Sequence, residues 1–242
     1  MKSSMSRRLA PRFAALAVGL VWLQSFAACG PTIDRAARAD VDRLSATVKP
    51  KTRLVPADAR PSTIPLSPGQ WTAYRLTRTD GTPSFIVFKV VGEVAGGYLI
   101  QSDSVSYGGR AAMRVLLRLV GSADAPRAVE VVSVAIKAKD GRMVEQRASI
   151  LPLLRAPLQR AFSWLITDWR GLSRESVTVT AGTFEGCFRR HGVTDWGHVH
   201  EVSDSWSHPA VPIFGLVLSK GAEKPYTMDL IGFGLGGDAP AL

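Results

Sequence analysis

All four histidines of the chain, His191, His198, His200 and His208, fall in one late stretch. The His198-x-His200 spacing puts two rings on one face of a strand, because successive strand side chains alternate. With Asp195, Glu201 or Asp204 beside them, His198 and His200 are the candidate ligands of a zinc ion, and a metal-dependent hydrolase is the enzymatic reading they support. The spacing is not the helical His-Glu-x-x-His pattern. Solvated or hydrogen-bonded histidines on a β-rich edge are the plainer explanation. Cys187, in Gly186-Cys187-Phe188, is the other group with chemical potential. A thiolate nucleophile needs an electropositive, partly exposed setting. Arg189, Arg190 and His191 are near in sequence, but alternation spreads them over both faces, and a buried small side chain is the expectation for Cys187. There is no Gly-x-Ser-x-Gly elbow. Gly232-Phe233-Gly234-Leu235-Gly236-Gly237 has the look of a phosphate loop, yet no helix follows it, so it reads as a strand exit. No residue is assigned a catalytic role, and no cofactor is expected.

The second cysteine, Cys29, stands in a different context. A basic start (Lys2, Arg7, Arg8, Arg12) leads into an apolar run from Phe13 to Leu23, then Phe26-Ala27-Ala28-Cys29-Gly30. Basic residues, an apolar run and small residues before a cut are the parts of an export signal. The run is too short and too interrupted for a span, which needs ~20 apolar residues. The stretch resembles the lipobox of bacterial lipoproteins, with Phe26 where that family usually has Leu. The resemblance implies a diacylglyceryl group on the Cys29 sulfur, removal of residues 1–28, and acylation (palmitate or a similar chain) of the new N-terminus. Gly30 is not the Asp that retains such proteins in the inner membrane, so the resemblance implies an outer-membrane lipoprotein. The twin-arginine pattern fits less well, since Ala10 and Pro11 stand where it wants large apolar residues.

With the signal gone, the formal charge falls from +10 to +6. The arginines are scattered, with no basic block interleaved with aromatics, so nucleic acid is not an expected partner. With Cys29 acylated, Cys187 has no partner within the chain, which excludes a disulfide framework.

These groups must be carried by a few elements. Residues 29–68 read as the lipidated N-terminus and a linker with one helix. Its stripe is Ile33, Ala37, Val41, Leu44 and Val48, and Pro50 stops it. Whether that helix packs on the domain or projects from the membrane is open at this level. Residues 69–242 read as a β-rich domain. Alternating segments at Trp71–Arg78, Phe85–Val91, Tyr98–Ser104, Met113–Leu119, Arg127–Ala138 and Val144–Ile150 are separated by Gly-containing turns, and further strands run from Ser176 to Phe233. One helix interrupts them, with Leu154, Leu158, Ala161, Phe162, Leu165 and Trp169 at helical spacing and Pro157 in its first turn. The expected class is mainly β (α+β): a curved antiparallel sheet or half-barrel with one packing helix.

The last third carries Val179-Thr180-Ala181-Gly182-Thr183-Phe184, then Trp206-Ser207-His208-Pro209, then Val211-Pro212-Ile213-Phe214-Gly215-Leu216-Val217. It resembles uncharacterised envelope proteins distantly similar to lipoprotein-carrier half-barrels, in which a curved sheet wraps a helix or an acyl chain. The resemblance implies a membrane-anchored, non-enzymatic binding or accessory module for an apolar ligand. Trp71, Tyr74, Phe88, Tyr98, Phe162 and Trp206 are the candidate lining residues. The alternatives are a structural or assembly partner that binds another envelope protein through a sheet edge, and the hydrolase above.

Overall fold

The structure is a computed structural model. It describes residues 33–242 except 58–65, 95, 123–124, 167–168, 170, 197–198, 223–224 and 238, and leaves the side chains of 122, 125–127, 164, 194–196 and 199–201 undescribed. Cys29 and His198 lie outside the described residues.

The chain is mainly β, as expected. Helix α1 (Arg35–Thr47) and β1 (Leu54–Val55) precede a meander of β2 (Trp71–Arg78), β3 (Pro83–Val94), β4 (Gly97–Ser106), β5 (Gly109–Ser122), β6 (Ala125–Lys137) and β7 (Met143–Glu145). Helix α2 (Leu151–Phe162) follows, and then β8 (Ser173–Val179), β9 (Gly182–Trp196), β10 (Val199–Ser207), β11 (Leu216–Gly221) and β12 (Tyr226–Gly234). All strands join one open sheet in the order β1-β9-β10-β11-β12-β2-β3-β4-β5-β6-β7, with β8 also paired to β9.

Strand alternation gives the sheet two faces. Residues directly opposed across strands share a face, so Arg189, Trp206, Leu218, Asp229, Arg75, Phe85, Val105 and Arg110 form one row over eight strands. The other face carries the main core: Tyr74, Ile86, Phe88, Val115, Leu117, Met228 and Leu230 pack with Leu158, Ala161 and Phe162 of α2.

The N-terminal helix lies against the domain. Asp34 caps it, its carboxylate accepting the Ala36 and Ala37 N–H groups at 2.9 and 3.0 Å. Ala37, Val41 and Leu44 bury themselves against Phe85 and Val105 on the face opposite α2, and Val41 and Leu44 are each worth roughly 1.5–3 kcal/mol there. Ile33, first in the apolar stripe, precedes the cap and is exposed. Beyond Pro50 the chain straps the sheet. Lys51 N–H donates to Thr180 O at 2.9 Å and Thr183 N–H to Arg53 O at 2.8 Å, and β1 pairs in parallel with β9. Much of the segment read as linker is thus part of the folded unit.

Two details differ from the sequence reading. Helix α2 begins at Leu151, earlier than its stripe suggests, because Pro152 sits in the first turn where a missing N–H costs nothing. Pro157 therefore falls inside the helix, and the tight turn Ser163–Ile166 replaces its last residues, leaving Trp169 in a separate small cluster with Phe188. The Val144–Ile150 segment holds only the short β7, Met143–Glu145.

Candidate functional site

Three of the candidate lining residues meet around Phe214, which lies within the stretch from Ser176 to Phe233 read as strands. The segment 208–215 is instead a loop between β10 and β11, and it folds inward. Phe88 meets Phe214 edge-on with centroids 4.9 Å apart, Phe162 lies 5.6 Å from Phe214, and Tyr74 lies 6.1 Å from Phe88. All four rings are at most 1% exposed. The Tyr74 hydroxyl donates to Leu216 O at 3.0 Å, and burial raises its pKa above the ordinary phenol value. Tyr98 sits half-buried at the margin of this core, and Trp206, also half-buried, stands on the other face of the sheet in the row with Arg189 and Leu218.

Trp71 lies apart. Its register partner is Gly234. A Cβ on Gly232 would come within 3.3 Å of the Trp71 ring, and one on Gly234 within 2.4 Å of its Nε1. The glycines that imitate a phosphate loop are the bed on which this indole lies.

The loop is held by its motif residues. His208 N–H donates to Gly215 O at 2.7 Å. The buried His208 ring accepts the Ala210 N–H at Nδ1 (3.1 Å) and donates from Nε2 to Pro56 O (3.2 Å), an arrangement that fixes the Nε2–H tautomer. Phe214 N–H donates to Pro212 O at 2.8 Å across Ile213, whose φ is 67°. That is a γ-turn of the rare positive-φ kind. A β-branched residue there costs on the order of 1–3 kcal/mol, which the surrounding packing must offset. Val211, Ile213 and Phe214 are fully buried, so the strain is spent on core.

The turn before β9 is equally structural. A Cβ on Gly182 would stand 2.4 Å from Arg53 O, and φ there is +133°, so only glycine lets the strap pass. Beside it Asp229 accepts from Arg75 Nε (3.1 Å), Arg75 Nη2 (3.3 Å) and the Thr180 hydroxyl (2.5 Å). This nearly buried group has no signal in the sequence, since its members come from β2, the β8–β9 turn and β12.

Cys187 is fully buried, and its Sγ–H points to Phe184 O at 3.6 Å. Burial, with a smaller contribution from the Glu175 charge, pushes the thiol up to about 12. At neutral pH it is protonated and shielded, the opposite of an activated nucleophile.

Among the histidines, His191 pairs with Asp204, its opposite neighbour on β10, at 3.1 Å. Burial works against ionisation of Asp204, but hydrogen bonds from His191 and Arg189 outweigh it and hold the carboxyl below its ordinary value. Arg189 also approaches Glu175 at 3.7 Å and lies 5.4 Å from the Trp206 ring, with Lys220 Nζ at 5.8 Å. The Trp206 indole N–H donates to Glu175. These are exposed contacts, each worth under about 1 kcal/mol. His200 lies on β10 opposite Asp195. Among the described residues no three His, Cys, Asp or Glu side chains converge on a metal position.

No family model and no curated protein matches the chain. Two solved structures show a distant likeness. One is a protein described as exported, with a YmcC-like fold, from Bacteroides fragilis: TM-score 0.37, 12% identity, covering 72% of this chain and 100% of that one. The other is described as a lipoprotein, from Parabacteroides distasonis: TM-score 0.36, 13% identity, covering 73% of this chain and 100% of that one. Likenesses at this level assign neither a family nor a function.

Proposed function

We propose that the protein is an exported lipoprotein of the outer membrane, anchored through Cys29, whose β domain is a non-enzymatic accessory module for another envelope protein. The anchor rests on the order of charges, apolar run, small residues and cysteine in residues 1–30. One observation favours the partner role over the apolar-ligand role: Tyr74, Phe88 and Phe162, candidates for lining a pocket, are used up in contact with one another and with Phe214. Strand β8, off the main strand order, pairs with β9 alone among the described residues, which leaves the other edge of Ser173–Val179 for an added strand. Photo-crosslinking from Ser176 in intact cells tests the role. A single discrete adduct with one envelope protein supports it, and a recovered lipid adduct in its place would return the ligand reading.

A further inference from the structure

We infer that the anchored protein stands on the membrane with one particular end of its sheet, and that this end binds anionic lipid headgroups. The inference rests on the reading of Cys29 as the acylated residue. Only residues 30–33 separate Cys29 from Asp34, and five residue steps reach at most about 18 Å. Asp34 is fixed to the fold: its N–H donates to Tyr107 O at 3.0 Å, in the β4–β5 turn, and its side chain caps α1. Acyl chains at Cys29 therefore hold that turn close to the bilayer surface.

The register brings further turns to the same end. Thr77 faces Pro83, Ser106 faces Gly109, Lys137 faces Met143, and Tyr226 faces both Gly221 and Arg78. With Ser203 beside Gly221 and Val199 facing Trp196, the β2–β3, β4–β5, β6–β7, β9–β10 and β11–β12 turns thus lie together, and the register positions of Asp195 and Glu201 are at this end too. Arg35, Arg78, Lys137, Lys139 and Arg142 are exposed there. None of these five forms an ion pair among the described residues. Arg110, at the same end, is engaged by Asp40. The carboxylates of Asp80 and Asp140 are turned into their own hairpins, accepting the Thr82 and Arg142 N–H groups at 2.9 and 3.0 Å. The opposite end differs. Its hairpins expose Val91, Val94 and Val120, and its Arg118 is paired with Glu130 at 3.2 Å. One end is tethered and carries five exposed basic side chains that make no ion pair among the described residues, and the other exposes valines. Headgroup attraction is felt within a Debye length of about 8 Å, a range the short tether keeps open. An acyl anchor plus a basic patch is the two-signal arrangement that gives lasting, oriented attachment.

The test uses the acylated protein purified from envelopes and reconstituted in phosphatidylglycerol-containing vesicles or in phosphatidylcholine alone. Thr79→Cys and Val120→Cys variants are labelled with an environment-sensitive fluorophore, while the buried Cys187 stays unlabelled. Nitroxide on the lipid headgroup is the quencher. In the anionic vesicles the Thr79 probe is expected to be quenched more than the Val120 probe, because a headgroup nitroxide quenches at short range and reaches only the end that meets the membrane. That difference is expected to shrink in phosphatidylcholine and in the Lys137→Glu/Lys139→Glu/Arg142→Glu variant. Equal quenching at the two sites, or stronger quenching at Val120, overturns the orientation. A difference that survives both phosphatidylcholine and the triple variant overturns headgroup binding. Mass spectrometry of the N-terminal peptide separates these failures from failure of the anchor: an unacylated Cys29 sinks both readings, and an acylated one with equal quenching sinks only this one.

Discussion

Phe214→Ala probes the claim that the aromatic cluster is core and not a ligand wall. The ring is fully buried, edge-on to Phe88 at 4.9 Å and 5.6 Å from Phe162. Truncating a buried Phe costs about 3–5 kcal/mol, including the cavity left behind. The two ring pairs account for roughly 1–3 kcal/mol of that. Relaxation of the strained γ-turn at Ile213 returns part of the loss, which places the expected value near 3–4 kcal/mol. For a folded unit of this size each kcal/mol shifts Tm by roughly 2–4 °C, so the midpoint is expected to fall by roughly 6–16 °C. Thermal unfolding of the protein without its lipid, followed by circular dichroism, reads this directly. Phe214→Leu, which keeps most of the volume, is expected to lose less than half as much. A Phe214→Ala change under about 1 kcal/mol would mean that the ring borders open space, and the packing argument would fail.

The remaining predictions concern other parts of the fold. Gly182→Ala drives a Cβ into Arg53 O and is expected to free the strap, seen as faster hydrogen exchange at Lys51 and Thr183 with the inner core unchanged; protection at wild-type level in both would refute it. Asp229→Ala removes the carboxylate that Arg75 pairs with, leaving it the Thr180 hydroxyl at 3.2 Å, and is expected to cost about 2–4 kcal/mol in urea unfolding, whereas Asp204→Ala, which removes the surface pairs with Arg189 and His191, is expected to cost under about 1. The Cys187 thiol is expected to resist a disulfide reagent at pH 8 in the native state and react at once in denaturant. Because its folded pKa is raised, its contribution is complete below the unfolded thiol value near 8.5 and is lost as pH rises towards 12. Stability should fall across that window in the native protein and less in Cys187→Ala; a flat profile would contradict the burial.

What the sequence revealed follows from how local each signal is. The alternation of β2, β4 and β5 and the glycine turns between them are written within a few residues, so the sheet could be read. Ala37, Val41 and Leu44 announced a helix with one apolar face, but not which surface would cover it, because Phe85 and Val105 are remote in sequence. The loop 208–215 falls inside the stretch read as strands because a run of apolar residues suits a strand and a buried turn alike; the decisive feature, Ile213 at positive φ, has no sequence mark. Asp229, Arg75 and Thr180 look like ordinary surface residues until the β8–β9 turn is docked. Gly182 stands in a motif and Gly234 in a stretch read as a strand exit, and only the fold shows what each admits: the Arg53 strap in one case and the Trp71 ring in the other.

The most direct test of the central claim is the mass of the N-terminal peptide of the protein taken from bacterial envelopes. The account predicts a chain beginning at Cys29, carrying a diacylglyceryl thioether on its sulfur and a third acyl chain on its amino group. A chain that begins elsewhere, or an unmodified Cys29 in the membrane fraction, would contradict it.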